Sequence, residues 1–396
     1  MANRNGGFIG TDGLDAPDPV TDVSAAIGDA QASISFTAPT DTGTSDITGF
    51  VAQVASSGDN YSAGSNTGTS SPIVISSLSN GTSYTAKVWA INAYGTSAPS
   101  EASSSFAPAA PRGLFAGGNQ GDGDYIDYIT IGTLGNATDF GNLSAARAVV
   151  GAVGSSSRGV YAGGSPVTNE MQYVTIASTG NTSDFGDLPA TRRKLSHGVG
   201  NDTRGVFCGG ENDGGAAQQD CNYITIASTG DSTNFGNCHA GGLLGGASST
   251  TRGILHGGQS SDTTRIEYIT IGTTGNFTNF GDQQSPGRTG TFGGSSSTRA
   301  LFSGGFDGGA KSDVIEYITI ASTGNATDFG NLSAGNNEGA SCSSKVRYVV
   351  AGGEAGSVLD EIQYVTIAST GNTSDFGDLT IALAALTGLS NAHGGI

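Results

Sequence analysis

The sequence predicts an all-β protein, a β-sandwich of about 90 residues followed by a six-bladed β-propeller. Three observations carry that expectation. Glycine is extreme, at 66 of 396 residues, while charged residues make up only 13% of the chain, a balance that suits short strands and tight turns. No stretch sustains the apolar period of an amphipathic helix. Residues 112–396 repeat one motif six times at a period of about 47 residues, the length of a four-stranded propeller blade. Apolar and aromatic residues recur at fixed places in those copies, which low-complexity disorder does not produce.

Residues 1–15 form an arm rich in Gly, Asn and Asp, with one apolar patch at Phe8 and Ile9. Such an arm builds no core of its own, so it is either a mobile tail or a docking peptide. Residues 16–107 alternate apolar and polar positions, as at Ala32, Ile34 and Phe36, between turn-rich stretches, which is the pattern of a sandwich. The segments Pro17-Asp18-Pro19-Val20, Leu78-Ser79-Asn80-Gly81-Thr82-Ser83-Tyr84 and Val88-Trp89-Ala90-Ile91-Asn92-Ala93-Tyr94-Gly95 resemble a fibronectin type III domain. That resemblance implies that Tyr84 is the corner tyrosine, with Ala86, Val88 and Ala90 pointing inward behind it. Phe36 stands where the family usually has tryptophan. Trp89 falls on the outer face, where either a neighbouring strand or a partner covers it. Pro108 and Pro111 mark a short stiff linker, residues 108–111.

Each repeat opens on Arg-Gly-apolar-aromatic-small-Gly-Gly, led by Arg112, Arg158, Arg204, Arg252, Arg299 and Arg347. A strand ending in Tyr-(Ile/Val)-Thr-Ile follows, then a turn such as Thr179-Gly180-Asn181, then Asp184-Phe185-Gly186 or its counterpart. A small-residue strand leads into the next arginine. The Gly-Gly pairs suit close backbone approach and a sharp exit near an axis, and the Thr-Gly-Asn turns supply the positive φ of a tight hairpin. Phe140, Phe185, Phe235, Phe280, Phe329 and Phe376 are expected between blades, and the arginines are expected to be structural blade contacts. The first copy lacks the strand that precedes arginine, and residues 384–393 supply one at the chain's end. The C-terminal strand should therefore complete the first blade and close the ring.

The Gly-Gly pair, the tyrosine and the later aromatic resemble kelch repeats, with phenylalanine in place of the usual tryptophan. The blocks Tyr-Val-Thr-Ile-Ala-Ser-Thr-Gly-Asn and Asp-Phe-Gly-Asp-Leu more closely resemble repeats in structural and tail-fibre proteins of marine tailed phages, cyanophages in particular. The opening Asn5-Gly6-Gly7-Phe8-Ile9-Gly10-Thr11-Asp12-Gly13 resembles the starts of such proteins. This resemblance implies a virion appendage protein.

Composition narrows the function further. A formal charge of −18 with only 16 Lys and Arg residues disfavours nucleic acid. No segment has the apolar length of a signal peptide or a bilayer span, so synthesis in a cytoplasm without membrane insertion is expected, and the resemblance to phage proteins implies the virion as its final place. All four cysteines occupy repeat positions; Cys221 fills the slot of Ile126 and Cys238 that of Leu143, as small buried residues. Cys208 and Cys221 could face one another on neighbouring strands, where a disulfide is open but not indicated. A sandwich beside a kelch propeller also resembles galactose oxidase, whose copper site needs clustered His and Tyr. His197, His239, His256 and His393 fall at four different repeat positions, which argues against such a cluster. The sialidase Asp box resembles Thr-Asp-Phe-Gly, but its tryptophan is missing. Asp360-Glu361 and Gly121-Asp122-Gly123-Asp124 lack a full Ca²⁺ ligand spacing and read as turns. Asn136, Asn181 and Asn325 head sequons that arise from the turn chemistry.

The expected function is therefore non-enzymatic, with no cofactor and no metal. The arm and sandwich would attach the protein to other virion proteins, with Phe8, Ile9 and Trp89 as candidate interface residues. The propeller would be displayed for a host-surface glycan or protein, and a homo-oligomer is compatible. A purely structural head or tail decoration protein is the alternative, and a carbohydrate-active enzyme the less favoured one. Copies differ most between the Gly-Gly and Tyr strands, as at residues 165–169 and 211–220. Asn119, Asp122, Asn169, Asn212, Asp213, Asp262, Asp307 and Glu354 are the candidate binding residues of that face, although no aromatic or charged cluster stands out in the loops.

Overall fold

A computed structural model describes residues 14–120, 123–195, 197–239, 241–258, 264–284 and 286–396. Phe8, Ile9, Asp122 and Asp262 lie outside the described residues. The regular elements among the described residues are all strands. The chain divides into two compact units, Met1–Ala110 and Pro111–Ile396.

The first unit holds β1 (Thr21–Gly28), β2 (Gln31–Thr37), β3 (Ile47–Ala55), β4 (Gly64–Gly68), β5 (Ile73–Ser76), β6 (Thr85–Asn92) and β7 (Gly95–Thr96). They form two antiparallel sheets, β1-β2-β5 and β4-β3-β6-β7. Side-chain alternation sends Ala32, Ile34 and Phe36 of β2 inward to meet Phe50, Val54, Ala86 and Val88 in a single core. The Tyr84 hydroxyl accepts the amide of Ser79 at 3.1 Å, the corner arrangement expected. Trp89 is half-buried on the other face, edge-on to Tyr61 at 6.4 Å. Tyr61 supplies part of its cover.

One edge device has no signature in the alternation. After β7 the chain runs along β6, and Ser97, Ser100 and Ser103 each donate a main-chain amide to the carbonyls of Ala90, Val88 and Ala86. Their hydroxyls accept the amides of the same three residues at 2.9, 3.0 and 2.9 Å. A three-residue step thereby follows a strand whose own step is two, with a hydroxyl standing in for the displaced carbonyl.

The second unit contains six four-stranded antiparallel sheets among the described residues. The second sheet is representative, with Gly151–Gly154, Arg158–Ala162, Thr168–Thr175 and Ser183–Arg192 in that order. In the first sheet the first place is taken by Thr387–Ser390, which pairs with Arg112–Ala116 and sets Leu389 opposite Leu114. This strand is shorter than the expected residues 384–393, because Ala385 has a left-handed φ of 59° that ends extended pairing before Thr387.

The apolar cores lie between consecutive sheets. Phe140 and Leu143 of the first sheet pack with Tyr161 and Val174 of the second. Phe376 and Leu379 of the sixth pack with Phe115 and Ile131 of the first. The first strands also touch in sequence order, and Thr387–Ser390 touches both Ala340–Ser343 and Gly151–Gly154.

Polar atoms of the repeated motif cross the same boundaries. Each repeat arginine lies 4.2–4.7 Å over the tyrosine of its own sheet. Its Nη1 donates to an isoleucine carbonyl of the next sheet, from Arg112 to Ile176 through to Arg347 to Ile131. The Thr-Gly-Asn segments are not the tight hairpins expected. Gly180 donates its amide to Phe140 O at 2.7 Å, and Asn181 Oδ1 accepts the Asn142 amide at 3.1 Å, both across a sheet boundary. The equivalent pair Gly135 and Asn136 binds Phe376 and Asp378. The turn is widened because its polar groups serve the neighbouring sheet. The glycine after each phenylalanine has a related reason. A Cβ on Gly281, where φ is +157°, would lie 2.2 Å from Gly324 O.

Cys208 and Cys221 are direct cross-strand partners in a core that also holds Cys238. None of the four cysteines is in a disulfide, and burial raises the thiols of Cys208 and Cys342.

Candidate functional site

The residues that lead into the six first strands share a backbone conformation. Val149, Lys194, Leu243, Glu338 and Ala385 are non-glycine residues with φ between 46° and 59°, and Gly290 has φ +67°. A β-branched residue such as Val149 is costly there. Hydrogen bonds between neighbouring sheets offset that cost. Val149 donates its amide to Ala385 O at 2.7 Å, Lys194 to Val149 O at 3.0 Å, Leu243 to Lys194 O at 3.2 Å and Gly290 to Leu243 O at 2.9 Å. Ala385 donates in turn to Glu338 O at 2.7 Å.

The connections after the Gly-Gly pairs are laced to these segments. Bridges join Ala148 to Ser165, Arg193 to Glu211, Thr289 to Phe306 and Asn337 to Glu354. The variable loops and the left-handed residues therefore share one end of the sheets. Phe306 is 40% exposed there, and the Glu211 carboxylate pairs with Lys194 at 2.9 Å and with Arg193 at 3.2 Å. The sequence showed no aromatic or charged cluster in the loops, because these residues come from separate repeats and from both sides of the first strands.

Inside this end lies a cavity of about 90 Å³ to which all six sheets contribute. Leu195, Leu244, Phe292 and Leu386 give it apolar walls, and His197 and Asn337 are polar groups on its lining. Burial lowers His197 to about 4, so the ring is neutral near pH 7. The Nδ1 atom of His197 and the Oδ1 atom of Asn337 are buried with no protein hydrogen-bond partner.

His197 also borders a second cavity of about 50 Å³ among the first strands. There Ser295 Oγ donates to Ser248 O at 2.7 Å and Ser343 Oγ to Ser295 O at 3.1 Å. Residues 391–396 lie against this part: His393 Nε2 is 3.0 Å from Gly154 O, and Gly394 donates to Ser295 O at 2.9 Å.

The candidate binding residues are dispersed, and several are engaged in the fold. Asn119 is exposed, but its amide binds Ala384 O at 2.9 Å. Asn169 is half-buried within the strand Thr168–Thr175 rather than in a loop. Asn212 Oδ1 accepts the Ala216 amide at 2.9 Å, closing a local turn, and Asp213 is exposed beside it. Asp307 accepts the amides of Ala310 and Gly309, which hold its carboxyl below the usual range. Glu354 pairs with Lys311 at 2.9 Å.

Two of the four histidines, His197 and His393, border the second cavity. His239 is exposed. His256 is fully buried between the fourth and fifth sheets, against Glu316, with its Nδ1 3.1 Å from Thr291 Oγ1. Arg288 Nη2 lies 2.8 Å from Glu316 Oε1. Burial raises the Glu316 carboxyl, but His256, Arg288 and the Gln284 amide bring it below its ordinary value, while burial lowers His256. Among the described residues no three His, Cys, Asp or Glu side chains are placed to hold a metal ion.

Comparison with known families matches residues 18–106 to the fibronectin type III domain. The first unit is thus an N-terminal fibronectin type III domain. No curated protein matches the chain.

Proposed function

We propose that residues 112–396 form a closed six-bladed, kelch-like propeller, and that the protein is a non-enzymatic virion appendage of a tailed phage. Its N-terminal arm and fibronectin type III domain would bind other virion proteins, and the propeller would present its loop end to a host-surface glycan or protein. The observation that carries the binding part is a division of labour among polar residues. Those common to the copies, the six arginines and the turn asparagines (Asp231 in the third copy), are engaged across sheet boundaries. Some of the residues that differ between copies, Lys194, Thr289, Phe306 and Asn337 among them, line a cavity at one end. Closure is supported by the pairing of Thr387–Ser390 with Arg112–Ala116 and by the reach of Arg347 to Ile131. The virion assignment rests on the likeness of the repeated blocks and the opening segment to phage structural proteins.

Mass spectrometry and imaging of purified particles test it. The protein is expected at a fixed copy number in an external appendage, and its absence from the particle would sink the reading. A decoration protein without a receptor is the second reading, favoured by the use of Asn212, Asp307 and Glu354 in internal contacts. Binding of the whole chain to host cells separates the two.

A further inference from the structure

We propose that Cys208 and Cys221 are an oxidation site, a dithiol that a low-molecular-weight disulfide converts to a cystine stapling the base of the 209–220 connection. The proposal rests on strand pairing and does not depend on the virion reading. The two residues are direct cross-strand partners. Gly209 donates its amide to Asp220 O at 3.1 Å just beyond them, so the cysteines occupy a non-hydrogen-bonded position. Partners in such a position have Cα atoms about 4.5 Å apart, within the span of roughly 4.4–6.8 Å that a disulfide accepts. Cys238 is the rival, since its thiol also acts on that of Cys221. Its amide donates to Gln219 O at 2.9 Å, which sets it opposite Gln219 and diagonal to Cys221. Diagonal Cα atoms lie about 7–8 Å apart, too far for a disulfide without backbone movement. Packing does not call for sulfur here. In the other five sheets the same pair holds no cysteine, as in Ala162 with Met171 and Ala351 with Ile362.

Both thiols are buried, so the closed pair reacts slowly. They sit, however, at the loop-side ends of Arg204–Cys208 and Asp220–Thr225, beside a connection exposed from Asp213 to Ala217. Local opening there bares a thiol without unfolding the sheet. The thiolate of one cysteine then attacks the small disulfide, forming a mixed disulfide and expelling one thiolate. The other cysteine attacks the protein sulfur of that mixed disulfide and expels the second. Two electrons pass from the pair to the small molecule, and the two thiol protons leave with its two released thiols.

The experiment treats the folded full chain with oxidised glutathione, alkylates it in denaturant and cleaves it at acidic residues for mass spectrometry. Cuts at Asp213, Asp220 and Asp231 separate Cys208, Cys221 and Cys238. Alkylatable thiols are expected to fall from four to two, with a Cys208–Cys221 linked peptide that dithiothreitol reverses. The Gly209 and Gln218 amides, which close the connection on Asp220 O and Gly210 O, should then exchange with deuterium at least about tenfold more slowly. Cys208→Ala carries the residue that stands at this place in the second and sixth sheets, and the same treatment should leave its exchange unslowed. Retention of four thiols in the folded protein overturns the proposal. So does a Cys221–Cys238 link, a glutathione adduct as the end product, or equal slowing of exchange in Cys208→Ala. Unchanged exchange in the linked protein overturns the stapling.

Discussion

The fibronectin type III domain and the repeat unit differ in where their repeated chemistry goes. In the first, one core collects the inward half of each alternating strand, and outward residues such as Lys87 and Trp89 pack against neighbours on their own face. In the second, each core is shared by two sheets, and the polar groups of the motif reach across as well. A sheet with short side chains buries too little alone, so it borrows area and hydrogen bonds from its neighbours. The difference teaches that residues recurring between copies mark boundaries between sheets, whereas residues alternating along a sandwich strand mark a face.

The largest expected effects come from breaking those boundaries. Gly281→Ala puts a Cβ 2.2 Å from Gly324 O at a left-handed φ and should cost about 3 kcal/mol or more. Gly58→Ala in the sandwich also sits at positive φ, +57°, but with nothing within 4 Å, and should cost only about 1 kcal/mol. Thermal or denaturant unfolding compares them. Similar costs would mean that conformation, not contact, explains the repeat glycine. Glu316→Ala strips His256 and Arg288 of their buried partner and should cost about 3–5 kcal/mol.

Acid should separate the two units next. All four histidines lie in the repeats. His197, His256 and His393 titrate below the ordinary 6.5 when folded, so the unfolded chain takes up protons first. Their contribution is complete above about pH 6.5 and is lost as pH falls through the folded values. His197 alone, at about 4, accounts for about 2 kcal/mol at pH 5. Glu316 acts in the same direction below 4.5. Trp89, the lone tryptophan, reports the sandwich. Its fluorescence transition should barely move between pH 7 and pH 5, while the bulk tyrosine and circular-dichroism transition falls. A joint fall would remove the distinction.

Smaller effects sharpen the comparison. Arg347→Ala loses a boundary hydrogen bond and a ring contact and should cost about 1–3 kcal/mol. It should match Arg158→Ala, because both occupy the same kind of boundary. Lys87→Ala in the sandwich loses a surface ring contact and a 3.9 Å ion pair with exposed Asp59, together worth about 0.5–1 kcal/mol. Val149→Gly removes a left-handed β-branched residue and should stabilise by up to about 1 kcal/mol; a loss instead would show that the side chain matters more than the strain.

Much of this was legible in the sequence, in the residues whose role follows from their own chemistry. Tyr84, the repeat arginines and the phenylalanines of Asp-Phe-Gly sit as their pattern implied. What escaped was chemistry completed by a distant segment. Ser97, Ser100 and Ser103 follow no strand period, because their spacing answers to β6. The third strand carries Asp127, Gln172, Asn222, Glu267, Glu316 and Gln363 at one buried position. Their variety hides a common task, accepting an amide from the preceding sheet, as Gln172 does from Ser144 at 2.8 Å and Asp127 from Thr380 at 2.8 Å. Before Asn222 the equivalent donor would be Pro189, which has none. The candidate binding residues were chosen for exposure and variation, and loop composition does not reveal that Asp307 and Asn212 bind their own turns.

The central claim is that the C-terminal strand of a chain completes that chain's own first sheet. Ala116 and Thr387 are cross-strand partners in this pairing, so the double substitution Ala116→Cys and Thr387→Cys tests it. Under mild oxidation the account predicts an intramolecular disulfide, visible as a monomer of altered mobility in non-reducing electrophoresis, and an unfolding transition raised by closure of the long loop. Absence of the cross-link in the folded protein, or cross-linked dimers alone, would contradict it.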